Sequence, residues 1–216
     1  MNDTHAKNEA LLNTRNFVKE FHTHDTTGHD WWHVNRVTHL ALQIARRENA
    51  DLFLVEMAAL LHDIDDWKLG NQGPSKTKAF LDSTQLPASV VDAILSIIAE
   101  VSFKGAGVET PTRTVESSCV QDADRLDAMG AIGIARAFTY GGSKNRSLYE
   151  PSMEPVMHGS FQEYQTSQSH TINHFYEKLL LLKDRINTST GKAMAEERHR
   201  FMEQYLDQFF REWNLE

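Results

Sequence analysis

The chain has 216 residues, a length that suits one compact domain or two small ones, and we expect a single domain. Hydrophobic residues make up 40% of it, with only 5 Pro and 11 Gly, which excludes a disordered chain and a collagen-like fibre. The 22 basic residues against 30 acidic ones give a formal net charge of −8, which argues against broad electrostatic binding to nucleic acid or anionic lipid. Any anionic substrate must therefore be held by local positive charge.

The first third of the chain predicts three α-helices. Apolar residues recur at helical spacing over residues 11–21, and again after Asp30, whose carboxylate suits the N-cap of a second helix. Asn49 marks the expected end of this second helix, and a third runs from about Leu52 to Leu61.

The middle of the chain predicts three more helices. Gly70 to Ser75 breaks the helical pattern, and Pro87 then suits the first turn of a helix because a proline there removes no intrahelical hydrogen bond. Thr112 to Ala128 has the pattern of a helix, and a shorter helix follows from Gly130 through Phe138. The pair Gly141-Gly142 is the predicted stop signal of that shorter helix.

The last third predicts one irregular segment and two long helices. Gly141 to Ser169 is rich in Gly, Ser, Pro and Gln, and a connection of this length is either a lid over a site or a mobile surface loop. Two long amphipathic helices, Ile172 to Ile186 and Met194 to Trp213, close the sequence. We therefore expect an all-α fold, with residues 1–216 in one domain and with 141–169 as the candidate lid.

Cysteine usage and the apolar runs predict the cellular location. Cys119 is the single cysteine, so neither an internal disulfide nor a thiolate zinc cluster is available, which suits a reducing compartment. Met1 to Glu20 lack the apolar core of a secretory signal, and the longest apolar runs are too short or too interrupted to cross a bilayer. We expect a cytoplasmic protein that has no membrane partner.

A histidine and a His-Asp doublet lie among apolar residues, where polar groups are costly. His33 shares a helical face with Val37 and Leu40, which places its imidazole in the buried stripe. His62 and Asp63 end a strongly apolar run, and a buried carboxylate requires a cation or hydrogen-bond donors. A lone buried histidine is usually a hydrogen-bonded core residue, but packing explains a buried His-Asp doublet much less well.

Asp124 adds a further acidic residue between apolar neighbours, because it shares a helical face with Val120 and Ala128. The histidine, the doublet and this distal aspartate offer two imidazoles and two carboxylates. Such a set is enough to bind one divalent ion and leave positions for water and substrate. The predicted ligands are His33, His62, Asp63 and Asp124.

In these residues the chain resembles the HD-domain metal-dependent phosphohydrolases, whose pattern is one His, then a His-Asp doublet, then a distal Asp, all on helices. The resemblance covers the chain from about Phe17 onward, and it points to the stand-alone bacterial YpgQ/YedJ-like subgroup. The stretches that resemble this subgroup are His29-Asp-Trp-Trp-His33, His62-Asp-Ile-Asp-Asp-Trp-Lys68, Asp122-Ala-Asp-Arg-Leu-Asp-Ala128 and Asn173-His-Phe-Tyr-Glu-Lys178. The resemblance implies an HD-domain helical bundle. It also implies one divalent metal, Mn²⁺ first, with Mg²⁺, Ni²⁺, Co²⁺ and Fe²⁺ as alternatives.

The resemblance also suggests roles for the acidic residues that follow the predicted ligands. Asp66, three residues beyond the doublet, occupies the position where related nucleotidases and alarmone hydrolases place an acidic group that orients or deprotonates water. Asp65 competes for this role, and the alternative for both is an acidic cluster in solvent. Asp127 is one turn from Asp124, where it would orient Arg125 or a ligand.

Substrate phosphates need positive charge near the site because the chain as a whole is acidic. Arg36 lies one turn after His33 and Lys68 follows the acidic cluster, so these two are the first choices. We group Lys68 with Asp63 and Asp66 as the predicted catalytic residues. Further predicted substrate contacts are Arg125, Lys178, Lys183 and His174, and the alternative for the two lysines is a solvated surface charge.

His29 has three alternative roles, as a hydrogen-bond donor to a ligand, as a ligand of a second ion, or as part of the helix cap. The expected activity, within the resemblance, is that of a (deoxy)nucleoside triphosphate pyrophosphohydrolase. Nucleotide phosphomonoester or alarmone hydrolysis at the same metal site is the enzymatic alternative, and a non-catalytic nucleotide sensor is the alternative of another class. A small-molecule nucleotide is the expected partner, nucleic acid is not, and a homodimer remains open.

Overall fold

The computed structural model describes residues 3–23, 25, 28–66 and 74–216, and these residues form helices and connections without a β-strand. The predicted all-α class is confirmed. Contacts along the backbone divide the chain into two compact units, one of Met1–Ser102 with Pro111–Ala123 and one of Phe103–Thr110 with Asp124–Glu216. The assignment of residues 1–216 to one domain stays a prediction. Within the described ranges, no helix has the length and apolar character that a bilayer crossing requires.

The first unit is built around a short and almost wholly apolar helix, α3. Its residues from Met57 to Leu61 have no solvent exposure. Helices α1, α2 and α5 all pack against α3, so its apolar run forms the centre of this unit's core. The helices of this unit are α1 (Asp3–Phe21), α2 (Trp31–Glu48), α3 (Leu52–Leu61), α4 (Lys76–Asp82), α5 (Ala88–Ala99) and all but the last turn of α6 (Val115–Asp127).

Side-chain caps fix the starts of α2 and α3. The carboxylate of Asp30 accepts a hydrogen bond from the backbone N–H of His33 at 2.9 Å, as the sequence predicted. Asp51 caps α3 in the same way, accepting from the N–H groups of Phe53 and Leu54. Each such cap stabilises a helix by about 1 kcal/mol. The predicted end of α2 is also confirmed, because Asn49 adopts a left-handed conformation with φ 58°.

Helix α4 was not predicted, and the break expected at Gly70–Ser75 lies mostly outside the described residues. Ser75 forms the N-cap of α4 by accepting from the backbone N–H of Lys78 at 3.0 Å. Pro87 directly precedes α5, where its fixed φ of −57° suits a helix start. The seven-residue length of α4 explains the omission, because so few residues give no clear periodicity.

The second unit has the longest helix of the described residues at its centre. Helix α10 packs against α7 and against a 3-10 helix, and α9 packs against the same two elements. Phe175 of α9 and Met202 of α10 have no solvent exposure and belong to this unit's core. The elements are α7 (Gly130–Ser143), α8 (Phe161–Thr166), α9 (Thr171–Glu177), the 3-10 helix Leu179–Arg185 and α10 (Ser189–Trp213).

The stop signal predicted at Gly141-Gly142 is wrong, because α7 continues through both glycines to Ser143. Gly141 is buried, and a Cβ at this position would overlap the Oγ1 atom of Thr171. Gly142 has open space where its Cβ would be. The first glycine therefore permits the close approach of α9 to α7 and does not end the helix.

The helix predicted from Ile172 to Ile186 is interrupted at Lys178, whose backbone has φ −144° and ψ −60°. The following 3-10 helix places residues three apart on one face. Leu179 and Leu182, which have this spacing, are both buried. The tighter winding of the 3-10 helix thus buries two leucines of the run 179–182 on one face. The apolar content of the run did not predict this change of helix type. Helix α10 also begins earlier than predicted, after the cap residue Thr188.

The segment 141–169 is less irregular than its composition suggested, since it contains the end of α7 and all of α8. Hydrogen bonds join it to α9. The side-chain amide of Asn173 donates to the carbonyl of Met153 at 2.9 Å, and the N–H of Val156 donates to Glu177 at 3.1 Å. Its function as a lid stays a prediction.

Candidate metal centre

Asp63 is a buried carboxylate in contact with three imidazoles. Its Oδ2 atom lies 2.8 Å from Nδ1 of His29 and 3.2 Å from Nε2 of His33. Its Oδ1 atom lies 3.5 Å from Nε2 of His62. The side chain of Asp63 is only 6% exposed, so this negative charge is almost fully removed from water. The predicted grouping of His33, His62 and Asp63 is therefore present in the first unit, and His29 joins it.

Helix ends explain how these side chains meet. His33 lies in the first turn of α2, directly after the Asp30 cap, and its ring is fully buried. His62 is the C-cap residue of α3, and its Nδ1 atom lies 2.8 Å from the carbonyl oxygen of Ala59. Because α3 ends here, the chain turns and Asp63 can face the same region as His62. The doublet could not do this inside a regular helix, where neighbours diverge by about 100°.

The imidazoles set the protonation state of Asp63. Burial alone would raise the pKa of this carboxyl group. The positive charges of His62 and His29, with hydrogen bonds from His29 and His33, outweigh burial and hold the pKa of Asp63 well below its ordinary value. Asp63 is therefore a carboxylate at neutral pH, which is the form that binds a metal ion.

His22 is a further histidine of this region that the sequence analysis missed. It follows the last turn of α1, is 2% exposed, and forms a hydrogen bond to the backbone of His29. Burial lowers the pKa of His22, although the charge of Asp63 acts in the opposite direction. Its spacing of four residues from the buried Val18 is the pattern that would have revealed it, because that spacing places it on the same face of α1.

The donor set fits a divalent transition-metal ion. His29, His33 and Asp63 each offer a ligand atom, and these atoms all lie within 4.8 Å of one another. Imidazole and carboxylate donors together suit Mn²⁺, Fe²⁺ and related ions, whereas no thiolate is present in the group. A cation here would also compensate the buried negative charge of Asp63.

Asp65 and Asp66, the two acidic residues after the doublet, have different surroundings. Asp65 is exposed, and its carboxylate accepts hydrogen bonds from the Ser75 hydroxyl at 2.6 Å and from the N–H groups of Lys76 and Thr77. These bonds lower the pKa of Asp65 against the opposing effect of burial. Asp66 is buried at 7% exposure, and its N–H donates to the carbonyl of Asp63 at 3.2 Å. Asp65 is therefore engaged at the start of α4, whereas Asp66 is buried and is joined to Asp63 through the backbone.

Asp124 lies on α6, is half-buried, and begins the second of the two stretches of chain that form the second unit. Its assignment as the fourth ligand stays a prediction. Asp127, one turn later, is buried and forms an ion pair with Arg136, with 3.2 Å between Oδ2 and Nη1. The sequence had suggested Arg125 as the partner of Asp127, and Arg136 was not anticipated.

The predicted substrate-binding residues are spread over both units, and Lys68 lies outside the described residues. Arg36 is half-buried on α2. Arg125 donates to the carbonyl of Arg185 and, at 2.7 Å, to the hydroxyl of Thr110. Their roles toward substrate stay predictions.

The other three predicted substrate contacts belong to the second unit. Lys178 lies over the ring of Phe103, with 5.2 Å from Nζ to the centroid. Lys183 pairs with Glu196 at 3.6 Å, and His174 lies half-buried on α9. For these residues, too, a contact with substrate stays a prediction.

Cys119 is a poor nucleophile. It is a fully buried free thiol, and burial, together with the negative charges of Asp122, Glu48 and Glu116, raises its pKa to about 12. A thiol with this pKa is almost entirely protonated at neutral pH.

The fold and the site define the class of protein: an all-α protein with a candidate metal centre built on a buried His-Asp doublet at a helix end. The HD domain family matches residues 31–129. YpgQ of Bacillus subtilis is 40% identical over 198 residues, which cover 90% of this chain and 89% of YpgQ. The crystal structure of YpgQ in complex with ADP has a TM-score of 0.74 at 38% identity and covers 94% of this chain and 97% of that one.

Two other crystal structures are similar over nearly the whole chain. A Lactobacillus plantarum protein has a TM-score of 0.87 at 36% identity, with 100% of both chains covered. An HD-superfamily hydrolase from Bacillus thuringiensis has a TM-score of 0.74 at 41% identity, with 97% of this chain and 100% of the other covered. The chain therefore belongs to the HD-domain superfamily of metal-dependent phosphohydrolases, in the group of stand-alone bacterial proteins that includes YpgQ.

Proposed function

We propose that this protein hydrolyses a phosphoanhydride bond of a (deoxy)nucleoside triphosphate, releasing pyrophosphate and a nucleoside monophosphate, with Mn²⁺ as the preferred metal. The observation that supports this most strongly is the buried carboxylate of Asp63 among imidazoles, because these are together the donor types that bind a divalent transition-metal ion. A nucleotide substrate is supported by the similarity to YpgQ, whose structure was determined with ADP. This pairing of a metal site with a nucleotide-binding relative favours phosphoryl chemistry.

The proposed metal ligands come from α2, from the His-Asp doublet at the end of α3, and from α6. They are His33, His62, Asp63 and Asp124. When bound, a divalent ion neutralises phosphate oxygens and lowers the pKa of a coordinated water. Imidazoles and carboxylates bind a metal ion in their deprotonated forms, and the low pKa of Asp63 favours that form of its side chain.

Asp66 is the proposed general base. Its carboxylate takes a proton from the attacking water as the water oxygen forms a bond to the α-phosphorus. The bond from that phosphorus to the bridging oxygen breaks, and pyrophosphate leaves with the electron pair. The protein needs no covalent nucleophile for this step, and the high pKa of the Cys119 thiol makes that residue unsuitable as one.

Positive side chains are proposed to bind the phosphates. Arg36, one turn after His33 on α2, is the first of these, and Lys68 is the second. An arginine can contact two phosphate oxygens at once, whereas a lysine acts as a single point of charge. Local cations are required because the whole chain has a net charge of −8 and would otherwise repel a triphosphate.

A nucleotide panel tests this proposal. The purified protein is incubated with ribo- and deoxyribonucleoside triphosphates with Mn²⁺, and again with a chelator, and the products are separated by ion-exchange chromatography. We expect pyrophosphate and the monophosphate, formed only with the metal. Release of inorganic phosphate from added nucleoside monophosphates, with no pyrophosphate from the triphosphates, would instead identify a phosphomonoesterase. Tight nucleotide binding without turnover would identify a sensor. The absence of chelator-sensitive turnover of any nucleotide would reject the proposal.

A further inference from the structure

The role of His29 follows from its contact with Asp63. Its Nδ1 atom lies 2.8 Å from Oδ2 of Asp63, and both side chains are buried. At neutral pH an aspartate side chain is ordinarily a carboxylate, whose oxygens can only accept, so Nδ1 of His29 donates to Oδ2 of Asp63. The distance is typical of a short charge-assisted N–H···O bond.

The backbone of His29 is held on two sides. Its N–H donates to Oδ1 of Asp25 at 3.1 Å. The ring of His22 forms a hydrogen bond to the same residue's backbone. His29 therefore has little freedom of position, although it lies in the connection between α1 and α2 and not within a helix.

We propose that His29 is a positioning residue for the metal centre. By donating to Oδ2, it fixes the rotation of the Asp63 carboxylate and so directs Oδ1 toward the side of His62, where the two atoms are 3.5 Å apart. The inference rests on the proposed metal-dependent function, because an oriented carboxylate matters most when it serves as a ligand. Hydrogen bonds of this kind to metal ligands change metal affinity by about 10- to 100-fold.

The test is the affinity of the full-length protein for Mn²⁺ alone, measured by the electron paramagnetic resonance signal of free Mn²⁺ during titration. His29→Leu removes the donor and should weaken the Kd by about 10- to 100-fold. His29→Asn places an amide N–H near the position of Nδ1 and should restore a Kd within a few-fold of wild type. His39→Leu is the matched control, because His39 is exposed on α2, and its Kd should not change.

Circular dichroism and thermal melting establish that each variant is folded. Should His29→Leu fail to fold, His29→Gln replaces it, since its amide reaches the position of Nε2 and not that of Nδ1, and its Kd should weaken relative to His29→Asn. A wild-type Kd in the variant without the donor would overturn the inference. Equal loss of binding in His29→Asn and His29→Leu would also overturn it, by identifying His29 as a direct ligand.

The two proposals fail in different ways. A wild-type protein that binds no Mn²⁺ would overturn the metal site and the role of His29 together. Wild-type binding that is unchanged in His29→Leu would overturn the role of His29 alone and leave the proposed function intact. Because the probe is the metal without nucleotide, neither result depends on which nucleotide is the substrate.

Discussion

Asp63 illustrates how much of the candidate site could be predicted from single residues. Burial of a carboxylate is costly without compensation, so an aspartate after an apolar run already indicates a cation or donors. That reasoning correctly grouped His33, His62 and Asp63. It overlooked the helical spacing of His22 from Val18, and it left the role of His29 open, because the contact of His29 with Asp63 depends on the path of the connection between α1 and α2. No periodicity in the sequence fixes such a path.

The different surroundings of Asp65 and Asp66 lead to a prediction at the same scale. Asp66→Asn should lower kcat by about 10²- to 10⁴-fold, the usual contribution of a general base, with the Mn²⁺ affinity retained. Asp65→Asn is the matched control. It should keep kcat but lower the melting temperature, because it weakens the hydrogen bonds at the start of α4. Steady-state kinetics and thermal melting of both variants check this, and full activity in Asp66→Asn would exclude it as the base.

His22 makes folding stability depend on pH. Its folded pKa lies below the ordinary 6.5, so between these two values the unfolded chain binds more protons than the folded one. The free energy of unfolding should therefore fall as the pH drops below 6.5. Asp63 affects the free energy of unfolding in a lower pH range, because the stabilisation from its carboxylate is lost only as the pH falls below about 3.8.

His22→Asn should flatten the pH dependence of the free energy of unfolding just below pH 6.5. Urea unfolding of the metal-free protein at several pH values measures this slope. The charged groups that act on His22 besides Asp63 are His62 and Asp25, and both are unchanged in the variant. A slope identical to that of the wild type would show that His22 does not titrate as described.

At the scale of the helices, the sequence predicted elements well and their exact ends less well. Asp30 and Asn49 bound α2 as expected because capping residues act locally. The continuation of α7 through Gly141 was missed because it depends on a partner distant in sequence, Thr171. The break at Lys178 was missed for a similar reason, since the burial of leucines on the 3-10 face decides it. The sequence therefore predicted helix ends that depend on local capping, but not those that depend on packing between elements.

The adjacent glycines Gly141 and Gly142 of α7 provide a matched pair that tests this explanation. Gly141→Ala should destabilise the protein, because the new Cβ would overlap Thr171, a buried and β-branched residue with little freedom to move. Gly142→Ala should stabilise it by about 0.5–1 kcal/mol, the usual gain in an open helical position. Chemical denaturation of both variants measures the difference. Equal effects would contradict the role assigned to Gly141.

At the scale of the whole molecule, the all-α fold and the family were accessible from sequence, whereas the division into two compact units was not. The boundary between the units lies within α6, between Ala123 and Asp124. A helix that continues across such a boundary shows no change in composition or periodicity, so the sequence gives no sign of it. The predicted fourth ligand, Asp124, is thus assigned to the second unit, whereas the other three belong to the first.

The candidate lid leads to a prediction about the intact protein. If 141–169 closes over the substrate, limited proteolysis within it should slow when Mn²⁺ and a non-hydrolysable triphosphate are both present. Cleavage in the segment should be faster without them, because its residues Leu148, Met153 and Val156 are exposed. Mass spectrometry of the fragments locates the cut sites. An unchanged cleavage rate would show that the segment is a surface loop.

The central claim is that His33, His62, Asp63 and Asp124 bind one divalent cation in this protein. Anomalous X-ray scattering from crystals grown with Mn²⁺ and a non-hydrolysable nucleoside triphosphate tests it most directly. The account predicts one strong anomalous peak per chain, coordinated by those two imidazoles and two carboxylates and adjacent to the phosphates. A peak bound by other residues, or no peak beside Asp63, would contradict it.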